Sequence, residues 1–119
     1  MSMDNQKDQL ITQLIRETIS GNVTWSAQTP PYSLNQATES YVPLYLETIY
    51  RDTRIGIYEI RDKVFTDYDE FHWSENLGFC VVQDPEVVVW QIEEYSPALK
   101  ELFNMARYHA SGISNLLGM

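Results

Sequence analysis

The sequence has little cysteine, few basic residues and no long apolar run. Cys80 is the single cysteine among 119 residues, so no disulfide can form within the chain. No apolar run is longer than four residues, whereas a membrane-spanning helix needs about 20. The first eight residues contain no apolar segment, and they predict no secretory signal because such signals contain one. One thiol and no signal together predict a reducing, cytoplasmic location.

Basic residues are outnumbered by acidic ones. The chain has 8 Lys and Arg against 17 Asp and Glu, a formal net charge of −9. Because affinity for phosphates depends on basic groups, this balance argues against nucleic acid and against an anionic membrane surface as partners. It is compatible with a basic protein partner, since complementary charge speeds and orients encounter. The same charge can also serve solubility alone.

The common catalytic and metal-binding motifs are missing as well. The chain has no Gly-x-Ser-x-Gly elbow, phosphate-binding loop or Gly-x-Gly-x-x-Gly. Cys80 lies in an apolar segment, where a thiol is usually a packing residue. The acidic segment 67–75 fits no EF-hand register, and His109 has no carboxylate three or four residues away. We therefore predict no catalytic residue, no cofactor and no metal site. An enzyme using His72 and scattered carboxylates is the least favoured alternative.

What is present fits a single α+β domain over residues 1–119. Apolar types make up 44% of the chain, as in globular proteins. Residues 4–20 place apolar side chains at three- and four-residue steps, which predicts an amphipathic helix. Ser96 and Pro97 predict the start of a second helix, which is expected to continue to Gly118. Leu102 and Phe103 lie in the middle of its apolar stripe and should be buried.

Alternating and apolar segments between the two helices predict strands. A short strand is expected at 23–26, one hairpin at 41–50 and 55–60, and a second hairpin at 78–83 and 86–92. The predicted fold is a meander-like antiparallel sheet of four to five strands, with both helices packed on one face.

Two features of these strands lead to further expectations. The turn at 51–54 contains no Asn-Gly or Asp-Gly, so it is predicted to be longer than two residues. The second hairpin is apolar at consecutive positions, which favours central strands covered on both faces or, alternatively, a face covered by a partner subunit. Tyr45, Tyr58 and Trp90 are assigned to the face away from the helices, and a homodimer through that face is predicted.

The segment 67–75 is the densest polar cluster and also contains large aromatic residues. It is predicted to be a loop between strands, with Trp73 at least partly exposed. Aromatic side chains supply contact area, and carboxylates supply complementarity to a basic surface. We therefore predict a non-catalytic, protein-binding module of the inhibitor, immunity or counter-defence type that engages a basic protein. The predicted partner-binding residues are Asp67, Asp69, Glu70, Phe71, His72, Trp73 and Glu75.

A second candidate site lies on the hairpin at 50–63, where half of the positive charge is concentrated. Arg51, Arg54, Tyr58 and Arg61 could line a pocket for a small ligand or a nucleotide, with tyrosine stacking on a base. The alternative is a hairpin whose cross-strand pairs alternate in sign, because acidic residues are interleaved with the arginines.

Overall fold

The strands form one antiparallel sheet in which each strand lies beside the next strand of the sequence. The computed structural model describes residues 3–35, 40–66 and 70–118. The elements are α1 (Met3–Ile19), β1 (Ser26–Ala27), a 3-10 helix (Tyr32–Asn35), β2 (Ser40–Tyr50), β3 (Thr53–Phe65), β4 (Phe71–Gln83), β5 (Val87–Glu94), α2 (Pro97–Ser111) and α3 (Ile113–Leu116). The meander and the α+β class are as predicted. The first short strand lies later than the predicted 23–26.

Both long helices pack on one face of the sheet. Leu14 of α1 and Leu102 of α2 are fully buried in the same cluster as Ile57 and Phe79 of the sheet. Phe103 also belongs to this cluster, so the expected burial of the middle of the helix is confirmed. Burial of each of these side chains stabilises the folded state by about 1.5–3 kcal/mol.

The second helix begins as predicted and ends earlier. Ser96 has an extended backbone, and its side chain accepts a hydrogen bond from the N–H of Leu99. Gly112 has a φ of 70°, the left-handed conformation that ends a helix at little cost when the residue is glycine. The expected continuation to Gly118 is therefore wrong. The apolar periodicity continues past Gly112 into the short α3, and periodicity alone does not show the break.

The turn between β2 and β3 is tighter than predicted. Tyr50 pairs with Thr53, so the turn contains only Arg51 and Asp52. Both residues have positive φ, 51° and 62°. Two-residue hairpin turns need this conformation and usually obtain it with Asn-Gly or Asp-Gly. The prediction of a longer turn is wrong, because Arg51 and Asp52 adopt the left-handed region without a glycine.

The last strand lies at an edge of the sheet, which corrects the prediction of a central position. Within the described residues β5 pairs only with β4, and Val87 and Val89 are exposed. The register shifts here, with Val81 opposite Trp90 and Val82 opposite Val88, so Val89 is the extra residue of a bulge. The bulge turns Trp90 toward the helices, opposite to its predicted face.

The face of the sheet away from the helices carries a second buried cluster. Tyr45, Tyr58 and Cys80 are buried there in the single chain, and Leu34 of the 3-10 helix covers part of them. The two tyrosine rings lie over glycines, Tyr45 over Gly56 and Tyr58 over Gly78. Their hydroxyls donate to Glu47 at 2.9 Å and to Glu93 at 3.2 Å. This aromatic face is therefore largely covered without a second subunit.

We expect Gly78→Ala to lower the free energy of unfolding by about 1–3 kcal/mol, the usual cost of overpacking a core. A Cβ at this position would overlap the Tyr58 ring, which would have to leave its place over the sheet. Urea denaturation of the single and double variants measures this. In a Tyr58→Ala background the same glycine substitution should cost much less. Equal costs in both backgrounds would contradict the proposed overlap.

Candidate functional site

The hairpin of β3 and β4 extends beyond the rest of the sheet. These two strands pair as far as Phe65 and Phe71. Pairing between β2 and β3 reaches only Asp62, and pairing between β5 and β4 reaches only Leu77. We call residues 61–65 with 71–75 the arm. Because a two-stranded ribbon is marginally stable by itself, the arm depends on contacts between its own side chains.

One face of the arm carries a continuous row of aromatic rings. The centroid of Trp73 lies 5.2 Å from that of Tyr41 and 5.9 Å from that of Phe71. Phe65 follows, 6.1 Å from Phe71. We call these four residues the aromatic row. The two contacts of Trp73 are edge-to-face, an arrangement in which ring quadrupoles attract.

The row is only half buried. The exposed fractions are 38% for Tyr41, 44% for Trp73, 48% for Phe71 and 54% for Phe65. The prediction that Trp73 is at least partly exposed is therefore confirmed. The rings support one another and still present a large apolar surface to water.

Two cations of the chain lie on these rings. The Nζ of Lys63 is 4.8 Å from the Phe71 centroid and 5.6 Å from the Trp73 centroid. The guanidinium carbon of Arg61 is 5.8 Å from the Tyr41 centroid, and its Nη1 donates to the Tyr41 hydroxyl at 2.9 Å. These distances are in the range of cation–π attraction.

The remaining predicted partner-binding residues have different settings. Glu75 lies opposite Arg61, and its carboxylate forms an ion pair with the Arg61 Nε at 3.1 Å. His72 is exposed but lies on the opposite face from Phe71 and Trp73, since successive strand residues alternate. Glu70 is exposed, and its carbonyl accepts from the N–H of Thr66 at 2.8 Å. Asp67 and Asp69 lie outside the described residues.

The predicted loop is thus partly strand. Residues 71–75 belong to β4, which corrects the boundary of the loop at 67–75. The alternation of Phe71, His72, Trp73 and Ser74 is itself a strand pattern. The high density of charged residues around it led to the prediction of a loop. Sequence reasoning missed Tyr41 and Phe65, which belong to the row only through cross-strand register.

A cleft of about 270 Å³ adjoins the base of the arm. Glu59 and Glu75 line it from the sheet, and Lys100 and Arg107 line it from α2. Arg61 connects it to the row, because its Nε also contacts Glu59 at 2.9 Å. The hydrogen bond to the Tyr41 hydroxyl is the main cause that raises the pKa of Arg61. The hydrogen bond to the Glu59 carboxylate raises it further.

The residues of the alternative ligand site have intramolecular partners. Arg54 pairs with Glu47 at 3.0 Å, and this hydrogen bond raises the pKa of the guanidinium. Tyr58 is buried on the face away from the helices, and burial raises the pKa of its hydroxyl. Arg61 lies on the arm, and Arg51 in the tight turn, 5.1 Å from the Tyr50 centroid. A small-ligand or nucleotide site here stays a prediction.

The chemistry of the interior is that of a packing core. Burial raises the pKa of Cys80 to about 11, so this thiol is protonated at neutral pH. In the ranges 3–35, 40–66 and 70–118, no three side chains of His, Cys, Asp or Glu come together as metal ligands do. None of the helices in the described part of the chain combines the length and apolar character that crossing a bilayer requires.

Comparison with known protein families, with characterised proteins and with solved structures gave no significant match to this chain. Inferences about its function therefore depend on the chemistry of its own residues.

Proposed function

We propose that this protein is a non-catalytic, protein-binding module that engages a basic protein partner, in the manner of an inhibitor or immunity protein. The observation that carries the proposal is the half-exposed aromatic row on the arm. Aromatic residues and arginine are enriched where protein interfaces gain most of their affinity. Both types of side chain are present here, since Arg61 lies on the Tyr41 ring of the row.

Stability of the arm does not by itself account for this row. Cross-strand pairs such as Phe65 with Phe71 do stabilise a hairpin. That role is fulfilled by the sides of the rings that face one another. The outer sides remain in water, and a contiguous exposed aromatic surface is typical of an interaction site.

The charge of the chain indicates the sign of the partner. A net charge of −9 attracts a basic protein at long range and repels an acidic one. The acidic residues Asp67, Asp69 and Glu70 follow the end of β3 and precede Phe71, next to the row in sequence. We also infer a cytoplasmic location, because the single cysteine is buried as a free thiol and disulfides are rare in that compartment.

The first test uses partner capture and binding kinetics. Wild type and Trp73→Ala serve as baits in the native host, and captured proteins are quantified by mass spectrometry. Tyr32→Ala is the matched control, because Tyr32 is 78% exposed on the 3-10 helix, outside the arm. We expect a basic protein that Trp73→Ala loses and Tyr32→Ala retains.

With the captured partner in hand, the two parts of the surface should affect different rates. Trp73→Ala should speed dissociation by about thirtyfold, as loss of a central aromatic contact does. Asp69→Asn with Glu70→Gln should mainly slow association, by about tenfold at low salt. Raising salt should reduce the second effect, because charges are screened over about 8 Å at physiological ionic strength. A partner whose kinetics survive both substitutions would place the interface elsewhere.

Homodimerisation is a separate prediction that light scattering tests. A dimer at micromolar concentration would have a mass near twice 13.9 kDa. A monomer mass at every accessible concentration would contradict it, in agreement with the burial of Tyr45 and Tyr58 in the single chain.

A further inference from the structure

The aromatic row binds cations within its own chain. Lys63 lies over Phe71 and Trp73 at once, and Arg61 lies over Tyr41. Aromatic faces attract a cation through their negative quadrupole, and arginine is the more frequent partner in proteins. Since the rings are about half exposed, they have further surface on which an external cation can stack.

We propose that the aromatic row recognises arginine side chains on an extended segment of the partner, which stack on the rings and displace Lys63. This inference rests on the proposed function and names the chemistry by which the basic partner is bound. Arginine is favoured over lysine because its planar guanidinium stacks on a ring while its N–H groups still reach carboxylates.

The spacing of the rings favours an extended segment. The centroids of Tyr41, Trp73 and Phe71 follow one another along the arm at 5.2 and 5.9 Å, and Phe65 lies beside Phe71 on the neighbouring strand. Side chains on one face of an extended chain recur every two residues, or about 6.5 Å. Arginines at alternate positions would therefore meet successive rings along the arm.

Carboxylates adjoin the base of the row. Glu75 and Glu59 lie beside it, within 3.1 Å and 2.9 Å of Arg61. Because Glu75 is 62% exposed, it can also accept from an incoming guanidinium. Arg61 is already paired with these two carboxylates, so it does not make the surface a site for acidic segments.

Substitution of Lys63 distinguishes a cationic bound segment from an acidic one. An incoming arginine must displace its ammonium from two rings and approach a like charge. Lys63→Gln removes both costs and should strengthen binding of a cationic segment. If instead the arm bound an acidic segment, the same substitution would weaken binding.

The probe is a synthetic peptide of alternating arginine and serine, compared with versions containing lysine, citrulline or glutamate in place of arginine. Binding is followed by calorimetry and by the indole N–H signal of Trp73. We expect Trp73→Leu and Phe71→Leu each to weaken the arginine peptide about tenfold. Lys63→Gln should tighten it about threefold, and Tyr32→Leu should leave it unchanged. The lysine peptide should bind more weakly than the arginine peptide, and the uncharged citrulline peptide should bind more weakly still.

Circular dichroism checks that each variant is folded, and Phe65→Leu replaces any arm variant that is not. The inference is overturned if the wild type does not bind the arginine peptide. It is also overturned if Trp73→Leu binds as tightly as wild type, if Lys63→Gln weakens binding, or if the glutamate peptide binds better. In each of these cases the proposed function is judged separately, by loss of the natural partner from the Trp73→Ala bait.

Discussion

Replacing Phe103 with alanine should lower the free energy of unfolding by about 3–5 kcal/mol, a large share of the stability of a small domain. Phe103 is only 3% exposed and packs in the cluster that joins both helices to the sheet. The substitution removes the ring from this cluster and leaves a cavity that surrounding side chains fill only in part. Urea denaturation followed by circular dichroism measures the loss.

Phe65→Ala is the matched control for this experiment. It removes the same atoms from a residue that is 54% exposed at the end of the arm. Its cost should be about 1 kcal/mol or less, because much of the Phe65 ring is in water in the native state. A denaturation midpoint that Phe103→Ala leaves unchanged would show that α2 is not part of the core.

The helices could be predicted because their signals are local. Apolar residues at three- and four-residue steps mark the buried side of α1 and α2 wherever they pack. Ser96 caps its own helix through a contact three residues away, which the sequence displays directly. The end of α2 was missed because Gly112 interrupts the helix without interrupting the apolar pattern.

Strand faces were harder to predict, because they depend on register between distant residues. The run 87–90 looks like a strand covered on both faces. The bulge at Val89 explains it differently, since one inserted residue lets Val88 and Trp90 contact opposite clusters. Nothing within the run shows that a partner strand skips a residue.

In the candidate site, too, local features could be predicted, whereas contacts that depend on strand register could not. Phe71, Trp73 and Glu75 stand out in the sequence because they are close together and chemically unusual. Tyr41 joins them from the start of β2, through its pairing with Arg61 and the pairing of β3 with β4. Lys63 lies in the basic segment 50–63 of the sequence, yet its ammonium lies over the rings of Phe71 and Trp73. Only the cross-strand register brings these side chains together.

Glu47 is a further residue that the sequence did not single out. It lies in β2 and is 7% exposed. The Arg54 side chain reaches it with Nε at 3.2 Å and Nη2 at 3.0 Å, so the carboxylate is held by two donors. The Tyr45 hydroxyl donates to the same carboxylate at 2.9 Å. Burial of this charge is possible because its partners supply hydrogen bonds from several sides.

Arg54→Met should therefore lower the free energy of unfolding by about 3–5 kcal/mol, since it leaves the buried Glu47 carboxylate without a positively charged partner. The contacts of Arg54 with Asp84 and Glu86 contribute little to this loss, because both carboxylates are well exposed. Denaturation in urea at neutral pH measures it. Asp84→Asn is the control, and it should change the stability by no more than about 1 kcal/mol.

The double variant Arg54→Met with Glu47→Leu distinguishes a buried charge from a general loss of packing. Replacing both members of a buried pair with apolar side chains removes the unpaired carboxylate as well. The double variant should therefore be more stable than Arg54→Met alone, although it carries one more substitution. Recovery is expected to be incomplete, because the Tyr45 hydroxyl loses its acceptor in the double variant. If the double variant were less stable than the single one by the full cost of a second core substitution, the loss in Arg54→Met would come from lost packing and not from the charge of Glu47.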